Sequence, residues 1–407
     1  MTLNDAKAKL EMEGQEHLLK YYNELHEDER EKLLMQIHET DFSFLKHVQY
    51  EGERTRGKIE PIDCMTLDKI QEQSAELESL GKEVLRKGKV AAVLLAGGMG
   101  TRLGSDAPKG VYNIGKTKER FIFQCLIENI QKVVKDVGVY IPLFIMTSEK
   151  NHQQTVDFFV AHDFFGYPED KVWFFKQQMA PATDFDGKVL LESKMRIATS
   201  PNGNGGWFQS MDRFGLVRDM ESMGVEYLNV FAVDNVLQKI ADPVFIGAVA
   251  KEGVEVGAKV VRKNSPDEKV GVVCLEDGHP SIVEYYELTE EMRDEKNADG
   301  EYAYNFGVIL NYLFRMDALK RMMEKQLSLH VVKKKVPCLD KEGHNITPEE
   351  PNAYKYEQLV LDMIQDLDSC LPFEVVREKE FAPIKNPTGI DSVESAQKLL
   401  EENGVVL

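Results

Sequence analysis

The run Val90-Ala91-Ala92-Val93-Leu94-Leu95-Ala96 constrains this chain more than any other feature. An unbroken apolar stretch with no polar alternation cannot face water on either side. It predicts a strand covered on both faces, as in a parallel sheet. Gly97, Gly98 and Gly100 follow at once, so the strand must end in a tight loop. Beyond it, helical spacing over 119–137, 153–161 and 207–223 is interleaved with apolar strand runs at 141–146, 172–175 and 227–233. This rhythm predicts an α/β fold: a mixed, mostly parallel sheet with helices on both faces. Past residue 255, strand runs cluster at 256–261, 271–274 and 282–286, which predicts an inserted antiparallel patch. A strand over 305–313 and helices over 356–367 and 391–407 complete the pattern.

The texture before Lys89 is different. Leu18, Tyr22 and Leu25 recur at helical spacing, as do Leu33, Leu34 and Ile37, then Leu67, Ile70, Leu77 and Val84 with Thr66 as an N-cap. Glu51 to Pro61 reads as a polar connection between them. The expected division is an N-terminal helical region (1–88), an α/β domain (89–388) and a short closing helix (389–407). With 407 residues, more than one folding unit is expected. The net charge of −19 repels polyanions, which argues against nucleic acid and anionic membranes as partners. An anionic substrate must then meet a local basic site. Cys64, Cys125, Cys274, Cys338 and Cys370 form no C-x-x-C pair, so neither a disulfide framework nor a zinc site is expected, only free thiols in a reducing cytoplasm. Met1 to Lys20 is polar and no run nears the roughly 18 apolar residues of a membrane span, so a cytoplasmic protein is expected.

The sharpest chemical signal is Leu95-Ala96-Gly97-Gly98-Met99-Gly100-Thr101-Arg102-Leu103-Gly104, followed by Pro108-Lys109-Gly110. Glycines let a backbone approach a phosphate and aim several N–H groups at one anion. Thr101 adds a hydroxyl, Arg102 a fork of donors and Lys109 a point charge. A dinucleotide fingerprint read from Gly98 would need its third glycine at Leu103, so it fails. A P-loop fails too, because Pro108 precedes Lys109 and Gly110 follows it. A bare structural turn accounts for the glycines but not for Thr101, Arg102 and Lys109 beside them.

With those residues in place, the stretch resembles the pyrophosphorylase signature of sugar nucleotidyltransferases. Its Arg-Leu-Gly form, with Gly110 after the lysine, is most similar to the eukaryotic-type UDP-N-acetylglucosamine pyrophosphorylase family. The resemblance covers roughly residues 14–390 and includes Gly14-Gln15-Glu16-His17-Leu18-Leu19, Ile145-Met146-Thr147-Ser148, Phe185-Asp186-Gly187-Lys188, Val233-Asp234-Asn235, Gly257-Ala258-Lys259-Val260-Val261 and Phe381-Ala382-Pro383-Ile384-Lys385-Asn386. It implies a Rossmann-like, GT-A-like nucleotidyltransferase domain over 89–388. The reaction implied is in-line attack by a sugar 1-phosphate on the α-phosphorus of UTP, releasing pyrophosphate, with catalysis by positioning and charge neutralisation.

Roles follow residue by residue from the resemblance. Leu95, Ala96, Gly97, Gly98, Gly100 and Thr101 would hold the nucleotide. Arg102, Lys109 and Lys385 would act on the phosphates. Gln177 would read uracil, since an amide offers both a donor and an acceptor. Gly203 and Asn204 lie before a helix starting near Trp207, where a phosphate or ribose fits, although without the resemblance a plain helix-capping loop is the better reading. Asp234 ends the strand run 227–233 and is the candidate Mg²⁺ ligand, with helix capping as the alternative. Gly271, Glu284, Asn305 and Lys355 would bind the sugar and its phosphate. The run Lys333-Lys334-Lys335 reads as a solvated face.

Three departures from the family pattern bear on the substrate. Asn305-Phe306-Gly307-Val308 stands where Asn-x-Gly-Asn is usual, and Leu359 stands where a Phe is usual near the acetyl pocket. The family's C-terminal sheet domain is expected to be essentially missing, and with it the dimerisation it supports, leaving a monomer or weak oligomer. N-acetylglucosamine 1-phosphate is the leading substrate, with glucose or galactose 1-phosphate as the alternative. A regulator that kept the fold but lost turnover would be expected to lack Arg102, Lys109 or Asp234, and all three are present.

Overall fold

A computed structural model describes residues 1–46, 48, 56–325 and 329–407. Residues 51–55 of the polar connection expected at 51–61 therefore lie outside the described residues, and its last three, Ile59–Pro61, form a short strand. The chain forms two compact units. The smaller gathers Met1–Thr55, Gln178–Gly206 and Leu327–Val360, and the larger holds Arg56–Gln177, Trp207–Gln326 and Leu361–Leu407. The helix over residues 67–86 was expected with the N-terminal helices but belongs to the larger unit.

The larger unit is built on a ten-stranded sheet. Its strands are β1 (Ile59–Pro61), β2 (Val90–Leu95), β3 (Leu143–Thr147), β4 (Val172–Lys176), β5 (Tyr227–Ala232), β6 (Val256–Arg262), β7 (Val272–Glu276), β8 (His279–Val283), β9 (Phe306–Arg315) and β10 (Cys370–Glu374). The path runs β1-β7-β9-β5-β2-β3-β4, with β6 between β9 and β10 and with β8 on β7. The segment β5-β2-β3-β4 is parallel throughout. Every residue of β2 is buried, as its composition demands. The strands expected after residue 255 extend this same sheet, mainly antiparallel, while β10 runs parallel to β6. Helix Leu67–Arg86 crosses helix Pro243–Glu252 closely. A Cβ on Gly81 would stand 1.8 Å from the Pro243 carbonyl oxygen, and one on Gly247 would stand 1.9 Å from that of Leu77. Only glycine permits this approach.

Two helices depart from expectation. The run 207–223 is two helices, Trp207–Arg213 and Leu216–Ser222, because Gly215 takes φ +76° between them. The helix expected over 356–367 is strand Ala353–Glu357 followed by helix Val360–Gln365. Ala353, Tyr354 and Tyr356 are buried in that strand.

The smaller unit packs helices Leu3–Met12 and Glu27–Glu39 on short strands. Leu10, Leu18, Leu33, Ile37 and Phe42 share a core with Val189, Leu191 and Ile197. Gln15 seals the join: its amide donates to the Gly187 carbonyl at 3.1 Å and accepts from the Val189 N–H at 2.9 Å. Lys333, Lys334 and Lys335 are exposed, the solvated face expected of them. All five cysteines are free. Among the described residues no helix is long and apolar enough to cross a membrane.

Candidate active site

In the larger unit, β2 delivers the chain into the glycine loop. The N–H of Ala96 still donates to the Met146 carbonyl at 2.8 Å, and the Leu95 carbonyl accepts from Val233 at 3.2 Å. Ala96 is thus tied into the sheet, and Gly97 is the first loop residue whose N–H has no acceptor among the described residues. A miniature ladder then closes the loop. Gly100 donates to the Ala107 carbonyl at 2.8 Å, and Lys109 donates to that of Gly98 at 3.1 Å. Thr101–Leu103 form one 3-10 turn, ended by Gly104 at φ +74°. Leu103 anchors the turn in the core, while Thr101 and Arg102 remain exposed. A Cβ on Gly98 would meet nothing within 4 Å, so this face of the loop is open.

Gln177 lies just past β4, 8 % exposed, its N–H bonded to the Thr147 carbonyl at 2.8 Å. A Cβ on Gly97 would stand 2.0 Å from Gln177 Oε1, so the amide rests directly against the glycine. The structure therefore sets the residue expected to read uracil directly against the glycine loop. Asn151 also meets the loop. It is fully buried, and its side chain donates to the carbonyls of Ala96 (2.9 Å) and Gly98 (3.3 Å). Sequence reading missed it, because a polar residue opening a helix is ordinarily just a cap.

Lys109 Nζ lies 3.7 Å from Asp234 Oδ2, with both side chains partly open to solvent. Burial holds the Lys109 ammonium below its ordinary pKa; the nearby charges of Lys385 and Arg102 push it the same way, while Asp234 opposes them. Lys385 pairs with Asp391 at 2.9 Å. Its segment is bound to that of Asp234 through Ile384 N–H to the Asp234 carbonyl at 2.9 Å, and through Asn235, which donates to the Glu380 carbonyl at 2.7 Å and accepts from Ala382 at 2.9 Å. Arg102, Lys109, Lys385 and Asp234 thus converge, three cations against the two carboxylates of Asp234 and Asp391. Asp234 is a hard oxygen donor, suited to a divalent cation that also takes phosphate oxygens and water. No cluster of three or more His, Cys, Asp or Glu occurs among the described residues, so the donor set fits no all-protein metal cage.

Lys259 is fully buried, with Asp242 at 3.0 Å and Glu380 at 2.6 Å. Burial disfavours the ammonium, but the two carboxylates together outweigh it and raise its pKa.

The expected sugar residues of the larger unit also gather. A Cβ on Gly271 would stand 3.7 Å from Glu284 Oε2, and the Gly271 carbonyl accepts from Val308 at 2.9 Å, close to the buried Asn305. Arg56 braces this patch. Its guanidinium donates to Glu276, Ser281, the Ile282 carbonyl and both oxygens of Glu287, and Glu287 in turn accepts from the Glu284 N–H at 2.9 Å. In the smaller unit, Asn204 Oδ1 accepts from Val360 N–H at 3.0 Å, and Gly205 donates to Gln358 at 2.8 Å. A Cβ on Gly203 would stand 2.2 Å from the Gln358 carbonyl oxygen. The Gly203–Asn204 turn is thereby fixed to the chain just after Lys355, which sits in strand Ala353–Glu357.

A mixed sheet whose buried parallel strand β2 feeds an anion-ready glycine loop beside converging cations is the arrangement expected of a nucleotidyltransferase. The match to the family described as UTP–glucose-1-phosphate uridylyltransferase spans residues 42–406, and the chain belongs to that family. It is 38 % identical to the UDP-N-acetylhexosamine pyrophosphorylase-like protein 1 of Mus musculus, covering 95 % of this chain and 81 % of that protein. It is 39 % identical to the UDP-N-acetylglucosamine pyrophosphorylase of Saccharomyces cerevisiae, covering 76 % of this chain and 67 % of that one. The crystal structure of the Trypanosoma brucei UDP-N-acetylglucosamine pyrophosphorylase, in complex with an inhibitor, superposes with a TM-score of 0.82 at 27 % identity, covering 98 % of this chain and 85 % of that one.

Proposed function

We propose that this chain joins UTP to N-acetylglucosamine 1-phosphate, forming UDP-N-acetylglucosamine and pyrophosphate. The observation that carries this reading is the convergence of Arg102, Lys109 and Lys385 on a glycine loop whose open face presents unbonded N–H groups. Such a surface is built for a polyphosphate rather than a single small anion. The names of the Saccharomyces and Trypanosoma relatives support the sugar.

In the reaction, a phosphate oxygen of the sugar 1-phosphate forms a bond to the α-phosphorus while the bond from that phosphorus to the departing pyrophosphate breaks. Negative charge accumulates on the β- and γ-phosphates. Lys109 and Arg102 neutralise it, Lys385 draws in the sugar phosphate, and the N–H groups of Gly97, Gly98 and Thr101 hold the chain of phosphates in line. Gln177 against Gly97 pairs with the N3–H and O4 edge of uracil. Gly271, Glu284 and Asn305 take the sugar hydroxyls. Asp234 would hold Mg²⁺ together with phosphate oxygens, and the ion would add further neutralisation of the triphosphate. We place the protein in the cytoplasm as a monomer or weak oligomer.

A second reading is glucose or galactose 1-phosphate, glucose being the sugar in the family's own description. Pyrophosphate release from UTP and Mg²⁺ against a panel of sugar 1-phosphates decides between them. Release with glucose 1-phosphate alone would replace the first reading. Silence with every sugar would remove both.

A further inference from the structure

We infer that Asn151 is the positioning residue that keeps the glycine loop facing its ligand. In a trans peptide, C=O and N–H point in opposite directions. Asn151 Nδ2 draws in the carbonyl of Ala96 at 2.9 Å and that of Gly98 at 3.3 Å, and the latter also accepts from Lys109 N–H at 3.1 Å. The N–H groups of the same two peptides, on Gly97 and Met99, are thereby turned to the other side of the loop. Among the described residues neither has an acceptor, and Gly98 between them is exposed. Asn151 is itself fixed at its other end, because Oδ1 accepts from Ser148 N–H at 2.7 Å. Its buried amide is therefore the donor that holds the Ala96 carbonyl away from the site, and it joins Lys109 N–H in holding that of Gly98, so that neither turns to repel a phosphate. Reversing either peptide would replace a donor with an acceptor facing an anion.

This deepens the proposed function and rests on the loop binding the UTP triphosphate. The informative variant is Asn151→Asp. It preserves shape and the acceptor to Ser148, but it turns the donor into a second acceptor opposite two carbonyls. Asn151→Thr keeps a single donor and should fall between it and the native protein.

Two readouts on the full chain test the idea. Calorimetric UTP affinity should weaken about tenfold or more in Asn151→Asp, the scale expected when a buried donor is removed. The KM for sugar 1-phosphate should stay within about twofold, since the residues assigned to it lie elsewhere; a general loosening of the fold would move both constants. Amide hydrogen exchange over residues 96–109, measured without nucleotide, should quicken at Gly100 and Lys109 in the variant. If exchange there is unchanged and UTP affinity is within about twofold of native, the role assigned to Asn151 is wrong. Should native protein bind no UTP, the functional reading falls, while the exchange data still judge whether Asn151 shapes the loop. If Asn151→Asp does not fold, Asn151→Thr is held to the same two criteria.

Discussion

Lys109 and Lys259 occupy opposite electrostatic surroundings in the same unit. Lys109 has one carboxylate at 3.7 Å and two further cations near it, and its pKa is lowered. Lys259 is sealed from solvent between two carboxylates at 3.0 and 2.6 Å, and its pKa is raised. One site is left short of negative charge, while at the other Asp242 and Glu380 balance Lys259 together with Lys239. A protein that must receive a polyanion leaves cations undercompensated at the surface and fully compensates those that hold the chain together. Lys259 ties β6 to Asp242 and Glu380, and the Glu380 carbonyl is bound to Asn235, beside Asp234. The compensated lysine thus supports the floor on which the undercompensated one works.

The largest effect should come from breaking the buried set. Lys259→Met leaves the buried Asp242 and Glu380 with only the exposed Lys239, 3.5 Å from Glu380, and should cost about 3–5 kcal/mol of stability in urea unfolding. Adding Glu380→Gln should recover part of that loss. A cost below about 1 kcal/mol would mean the triad does not hold the segments together. Lys109→Ala should do the reverse. Folding stability should change little, while kcat falls by about 10²–10³, near 2.7–4 kcal/mol of barrier. Activity within a few-fold of native would remove Lys109 from the phosphate site. Next in size is Gly97→Ala. Its methyl would strike Gln177 Oε1 and displace the amide, so preference for UTP over CTP should fall by about tenfold with Lys109 untouched. Unaltered preference would separate Gln177 from base reading.

How much of this contrast could be read from the chain alone follows from distance along it. The glycine loop, Lys109 and Asp234 were legible because strand, loop and charge lie within short windows whose composition has few alternatives. Lys259 was visible only as one residue of a motif. Its partners Asp242 and Glu380 come from separate segments, and no local pattern announces a buried ion pair. Asn151 was missed for the same reason, since its value lies in carbonyls more than fifty positions away. The helix expected across 356–367 failed through overlap. Tyr354 and Tyr356 alternate as a strand, and Val360, Met363 and Ile364 then repeat as a helix, so one window held two periods. The smaller unit was illegible as a unit because its segments are far apart in sequence.

The smallest expected effect separates the two lysines by sign. Lys259 has a folded-state pKa above the unfolded value. Its stabilisation is therefore complete below the unfolded pKa of about 10.4 and disappears as pH rises through the folded one. Lys109 has a folded-state pKa below that value. Its charge is a burden on the fold at neutral pH, and the burden lifts as pH rises through the folded pKa, because the unfolded chain still holds the proton the native one has released. Native protein should therefore gain stability relative to Lys109→Met as pH rises toward the unfolded pKa of about 10.4, measured as the difference between paired urea titrations. Pyrophosphate should abolish that gain, since an anion beside the ammonium favours its charged form and lifts its pKa. A native protein that instead loses ground to Lys109→Met over this range would place Lys109 with Lys259, as a compensated structural charge, and the polyphosphate site would have to be sought elsewhere.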